Sequence, residues 1–398
     1  MWPSAGVDSY NKRIQTNVEF VFRSSKMALS NSSQVPKYLD NVTYARLQTL
    51  QQNYQGLHGY ISTAVCVVGM LLNTANVVVL HKKHMRTSTN IILMWLAVAD
   101  LCTMIDYVPF ALKFYVFKDD DLRTLWHNRS YGWMCYLLFH ANFSTTMHSI
   151  SIWLTIMLAS FRFMFIFFYE KSSKYCSIHH AKCVIAVIYI SAVVVCIPNY
   201  ISNYWNYANV TQGNVTETIY EFSQRRDGVY LYIFDLNYWV QSILIKLLPC
   251  FLLTVLTIML ITALHRAHRH HVQLKAQNLR RDDMEKHNEH LRTTAMLLAV
   301  VILFLVTELP QGILTLLMIF FEELHMELYN PLGDLLDICA LLNNAINFVL
   351  YCTMSKQFRD TFISTFCSRC CVRENDQRLD PTLITANHRK QSQLGQMV

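Results

Sequence analysis

The chain has 398 residues, 53% of them hydrophobic and only 15% charged. A water-soluble chain of this length carries roughly 25% charged residues, and the apolar residues here fall into long blocks, so a soluble enzyme is excluded. The net charge of +7 requires no nucleic-acid partner, because much of it lies in the loops and the tail, where a membrane protein keeps its cytoplasmic Lys and Arg.

In chain order, residues 1–55 are polar and read as a flexible extracellular tail with glycosylation sequons at Asn31 and Asn41. No apolar core with a small-residue cleavage site lies near the start, so no cleaved signal peptide is expected. Seven apolar blocks follow, at 57–80, 90–117, 133–168, 183–201, 238–264, 293–321 and 331–353. Each can cross a hydrocarbon core of ~30 Å, which takes about 20 helical residues. The expected fold is an all-α membrane protein, a seven-transmembrane helix bundle over 56–353. Residues 354–398 form a polar cytoplasmic tail that opens with a short amphipathic surface helix to about 366. There is no internal repeat.

Two independent signals orient the bundle. The loops after blocks one, three and five carry thirteen Lys and Arg, and those after blocks two, four and six carry six. The positive-inside rule puts the richer set in the cytoplasm. The sequons at Asn31, Asn41, Asn128, Asn209 and Asn214 all fall on the opposite face. A further sequon at Asn142 lies inside block three, beyond reach of glycosylation. The N-terminus is therefore expected outside and the C-terminus in the cytoplasm, at the plasma membrane.

Polar groups inside a bilayer are costly, and each is a functional candidate. Block two carries LAVAD, ending at Asp100. Block three ends in LASFRF with Arg162. Pro249 interrupts block five, and block six has Pro310 within FLVTELP. Block seven ends NNAINFVLY, with Asn343, Asn347 and Tyr351. In order and on seven spans, this set resembles the rhodopsin-like G-protein-coupled receptors over about 57–366. KLLPC (Lys246–Cys250), TELPQGIL (Thr307–Leu314), LGDLLDI (Leu332–Ile338) and INFVLYCTMSKQFR (Ile346–Arg359) narrow the resemblance to invertebrate myosuppressin, sex-peptide and FMRFamide-related peptide receptors. That family implies an extracellular amidated peptide as ligand and a heterotrimeric G protein as cytoplasmic partner.

The sequence departs from the superfamily in several places. Phe161 stands where an acid usually precedes Arg162. Glu308 replaces the tryptophan two residues before the block-six proline, and Phe348 replaces the proline after Asn347. Cys135 is near the position of the usual outer disulfide, but residues 199–237 contain no cysteine, so no disulfide is expected.

The resemblance makes Asp100, Ser151, Asn343 and Asn347 a sodium pocket, whose oxygen ligands suit a hard cation. It places Lys246 opposite Glu308, where pairing relieves the cost of two intramembrane charges. Phe304 and Tyr351 join them in the activation core, and Arg162 sits at the G-protein face. Asp334 and Asp337, three apart on one helical face, could grip a guanidinium, with Ser144 and Gln311 beside the ligand. Asp106, Glu322, Glu323 and Glu327 are weaker ligand candidates, loop acids being commonly solvated. Cys367, Cys370 and Cys371 follow an apolar helical pattern and are palmitoylation candidates.

No HExxH, P-loop or GxSxG motif supports an enzyme. A retinal receptor needs a block-seven lysine where Leu341 stands, and an amine receptor needs a block-three aspartate where Ser144 stands. A chemosensory receptor for small environmental molecules is the alternative. A transporter would be expected to show repeat symmetry or spans broken around a midplane site.

Overall fold

The computed structural model describes residues 38–117, 129–168, 175–212, 215–225, 227–275, 302–303, 305–321 and 323–366. Six helices within them are long and apolar enough to cross a membrane: Asn41–Leu80, Ser88–Val116, Tyr131–Phe165, Ile178–Ser202, Val229–Thr262 and Glu327–Val349. A shorter apolar helix, Leu305–Phe320, stands in the order of the sixth block. These seven, termed spans one to seven, form the all-α bundle expected from the sequence.

Span one starts earlier than its apolar block. Asn41–Leu80 is one helix of 40 residues, so residues 41–55 belong to it and not to a flexible tail. The cause is local. Asp40 caps the helix by accepting a bond from Thr43 N at 3.0 Å, and no proline interrupts the polar turns that follow. Hydrogen bonding from the Thr43 side chain, and then from its backbone N–H, holds the Asp40 carboxyl below its ordinary pKa. Spans two and four begin on similar caps, with Thr87 accepting from Asn90 N and Ser177 from His180 N.

Span three is central and packs against spans two, four and five, while span one packs on spans two and seven. Ile92, Ile150, Leu154 and Leu158 are buried in one core cluster. Span five carries a π-helical stretch, Val240–Leu247, immediately before Pro249. Proline lacks an N–H and its ring crowds the carbonyl four residues back, which widens the preceding turn. The shifted register buries Ser242, Ile245 and Lys246 together.

After span four comes an antiparallel strand pair, termed the hairpin, that the hydropathy blocks do not anticipate. Strand β1 (Asn203–Gln212) pairs with β2 (Val215–Gln224), Asn203 opposite Gln224 and Gln212 opposite Val215. At the opposite end of the bundle a surface helix, Lys356–Phe366, follows span seven. Phe358 is 1% exposed, and its ring lies 5.8 Å from Phe348 and 5.7 Å from Tyr351. Phe348 also meets Phe362 at 5.2 Å. The aromatic residue that replaces the usual proline thus docks the surface helix, and Phe161 joins the same apolar cluster.

Candidate functional site

A cavity of about 390 Å³ opens between spans three, five, six and seven at the hairpin end. That lies within the common range of ligand pockets, roughly 300–1,000 Å³. Its walls include Ser144, Lys246, Gln311 and Asp337, four of the residues expected there, together with Asn199, Gln224, Asn237 and Gln241.

The floor is charged. Lys246 Nζ lies 3.5 Å from Glu308 Oε2 and donates to Gln311 Oε1 at 2.7 Å. His148 Nε2, from span three, meets the same Glu308 oxygen at 3.1 Å. Glu308 is fully buried, and its Oε1 has no hydrogen-bond partner among the described residues. Spans five and six approach closely here: a Cβ added to Gly312 would stand 3.2 Å from Lys246 Cβ. His148 is absent from the candidates read from sequence. The available signal was an ionisable side chain in the middle of an apolar span.

His148 also lines a second, much smaller cavity of about 10 Å³, with Asp100, Ser151, Asn343 and Asn347. Ser151 Oγ donates to Asp100 Oδ1 at 2.8 Å, and Asn347 Nδ2 to Oδ2 at 3.0 Å. The four residues expected to form a cation pocket therefore share one small space, about the size of a single water. Carboxylate, hydroxyl and carboxamide oxygens are the donors a hard monovalent cation prefers. Asn73 of span one donates to the Asn344 carbonyl at 3.1 Å, a further polar tie into span seven.

The two block-seven aspartates differ. Asp334 Oδ1 accepts from Tyr115 OH at 2.8 Å and is absent from the cavity wall. Asp337 lines the cavity, and its carboxylate makes no hydrogen bond among the described residues. Asp106 is buried against His140, Oδ2 to Nδ1 2.7 Å, and Phe110 stacks on that imidazole at 4.2 Å. Glu327 is not a solvated loop acid. It is 7% exposed, and its Oε2 accepts from Tyr38 N and Leu39 N at 3.1 and 3.2 Å, tying the segment before span one to span seven. Glu323 is exposed.

At the opposite end, Arg162 Nε is buried without a hydrogen-bond partner among the described residues. Tyr351 is 3% exposed beneath the surface helix. Cys135 lies one turn into span three as a free thiol. Asn41 and Asn209 are exposed. Phe304, Glu322, Asn31, Asn128, Asn214, Cys367, Cys370 and Cys371 lie outside the described residues.

Comparison with known proteins agrees with this architecture. Residues 60–369 match the family described as Serpentine type 7TM GPCR chemoreceptor Srw. The chain is 31% identical over 358 residues to "G-protein coupled receptor dmsr-1" of Caenorhabditis elegans, covering 79% of this chain and 68% of that one. It is 30% identical over 332 residues to the "Sex peptide receptor" of Drosophila melanogaster, covering 80% and 74%. To "Sex peptide receptor-related protein 2" of Caenorhabditis elegans it is 26% identical over 360 residues, covering 85% and 77%. With seven spans, a cavity at one end and a match across most of its length, the chain belongs to the Srw family of seven-transmembrane G-protein-coupled receptors.

Proposed function

We propose that this receptor binds a short amidated neuropeptide of the myosuppressin or FMRFamide-like kind at its hairpin end and passes the event to a heterotrimeric G protein at the other. The observation that carries the reading is Asp337, a carboxylate without a hydrogen-bond partner among the described residues, in the wall of a cavity otherwise rich in amides and hydroxyls. A half-buried carboxylate without a partner is costly, and a ligand guanidinium relieves that cost bidentately.

The rest of the cavity suits a peptide that ends in a carboxamide. Asn199, Asn237 and Gln241 can both donate to and accept from an amide. Lys246 already faces Glu308 and Gln311, so it offers a ligand carboxylate no unspent charge. Two of the relatives named above are called sex peptide receptor or related to it, which also favours a peptide.

In this reading the hairpin and N-terminus face outward at the plasma membrane. The Lys and Arg distribution and the exposed sequons at Asn41 and Asn209 support that orientation. Binding favours a conformation that opens the end bearing Arg162, a population shift and not covalent chemistry. Glu308 is the pivot, since it touches span five through Lys246 and span three through His148. Asp100, Ser151, Asn343 and Asn347 would hold a sodium ion that favours the resting state.

The family description contains the word chemoreceptor, which favours a second reading, a receptor for small environmental molecules. A double-mutant cycle separates the two. Replacing the arginine of an active amidated peptide by citrulline should cost at least about tenfold in potency on the wild type and far less on Asp337→Asn. Equal losses on both receptors would remove the guanidinium contact.

A further inference from the structure

Four asparagines from separate parts of the chain meet beneath the hairpin. Asn142 Oδ1, in span three, accepts from Asn199 Nδ2 of span four and from Asn203 Nδ2 of β1, both at 2.9 Å. Asn199 Oδ1 accepts in turn from Asn203 Nδ2 at 3.3 Å and from Asn237 Nδ2 of span five at 3.2 Å. Gln224, at the end of β2, donates to Asn203 Oδ1 at 3.3 Å. All four asparagines are at most 7% exposed.

The network links spans three, four and five to both strands at the hairpin's base. It also forms part of the cavity wall, through Asn199, Asn237 and Gln224. Nearer the tip, Tyr220 N donates to the Arg129 carbonyl at 2.9 Å, and the Tyr131, Trp205 and Tyr220 rings pack 5.3 to 5.4 Å apart. In the superfamily pattern a disulfide from the top of span three holds this loop. Here the loop has no cysteine, and Cys135 is a free thiol.

We propose that Asn142 is a positioning residue. Its carboxamide oxygen is the hub of an amide cross-link that fixes the hairpin over the ligand cavity, the task that a disulfide performs elsewhere. This assigns a use to a sequon too deep in span three to be glycosylated. Losing that oxygen strands the Asn199 donor and leaves the Asn203 donor only its longer bond to Asn199 Oδ1, and a stranded buried donor costs more than a typical bond contributes. Spans three, four and five also share an apolar cluster that includes Ile152, Cys196 and Ile245, whereas the hairpin's base has these side-chain bonds to hold it, so their loss frees the hairpin before it loosens the bundle.

Trypsin cleavage of the full-length receptor in unsealed membranes tests this without any ligand and from either face. Arg225 marks the hairpin's end: its N–H donates to the Ser202 carbonyl at 2.8 Å, and its guanidinium lies over the Tyr204 and Tyr230 rings at 5.2 and 4.7 Å. Arg162, within the bundle, marks global unfolding. Asn142→Ala and, on the hairpin itself, Asn203→Ala should each raise the rate of cleavage at Arg225 about tenfold, with Arg162 still protected. Asn142→Asp keeps the accepting oxygen and should stay within about twofold of wild type. Dithiothreitol should leave the wild-type rate unchanged. The proposal fails if both alanine variants are cut at the wild-type rate. It fails equally if Arg162 is cut in step with Arg225, if Asn142→Asp behaves as Asn142→Ala, or if the reductant alone speeds cleavage. None of these outcomes depends on which ligand the cavity binds.

Discussion

Lys246 Nζ and Glu308 Oε2 lie 3.5 Å apart at the floor of the cavity, with side chains only 10% and 1% exposed. Two charges this far from water are tolerable together and costly apart. Glu308→Lys and Lys246→Glu should therefore each reduce surface yield and signalling severely, with about 3–5 kcal/mol at stake for a stranded partner. The double reversal should recover part of both. Full recovery is not expected, because the new ammonium would face His148, which now donates to Glu308. A double variant no better than the worse single one, by surface labelling and dose–response, would dismiss the pair as a functional unit.

Asp337 and Asp334 should rank unequally. Asp337→Asn should lower peptide potency by about ten- to a hundredfold at unchanged surface expression, the scale of a lost charge-assisted contact. Asp334→Asn should cost less, because that carboxylate is already engaged by Tyr115 at 2.8 Å. The reverse order in a dose–response comparison would move the ligand contact to Asp334.

The Asp100 cavity predicts a sodium effect. Replacing N-methylglucamine chloride with sodium chloride at constant ionic strength should lower agonist affinity about fivefold in the wild type. Asp100→Asn should abolish the difference. A variant that keeps it, in a radioligand competition assay, would place the ion elsewhere.

Phe358 predicts a cost in stability at the other end. Truncating a ring that is 1% exposed and packed on Phe348 and Tyr351 should cost about 3–5 kcal/mol. The thermal midpoint of detergent-purified Phe358→Ala should fall by several degrees. Phe366→Ala, which removes a ring that is 51% exposed, should leave it nearly unchanged. Equal shifts would mean that the surface helix is not docked through Phe358.

Where a strong energetic preference acts on single residues, the sequence alone was informative. The seven spans were legible because apolar blocks of that length have few stable alternatives to crossing a bilayer. Lys246 and Glu308 were legible as candidates because intramembrane charges demand a partner, and the family resemblance set them opposite each other. His148 was not, since a histidine can be neutral and raises no such demand by itself. The asparagine network was hidden because its members lie far apart in sequence and only the fold brings them together. The hairpin's strands left a trace in the β-prone runs at 203–212 and 215–224, which hydropathy blocks obscure. The early start of span one was missed because residues 41–55 are polar, and polarity reports on burial, whereas the helix there begins on the Asp40 cap.

A second-messenger assay would show whether the cavity receives an amidated peptide. The receptor would be expressed at the surface of cultured cells with a promiscuous G protein. It would then be challenged with a panel of amidated peptides, Arg-Phe-amide types included, beside their free-acid forms. We expect a saturable response to amidated peptides, absent from the acids and from cells without the receptor. Silence across the panel from receptor shown to be at the surface, or equal potency of amide and acid, would rule out an amidated peptide of this kind and favour a small-molecule ligand or another peptide family.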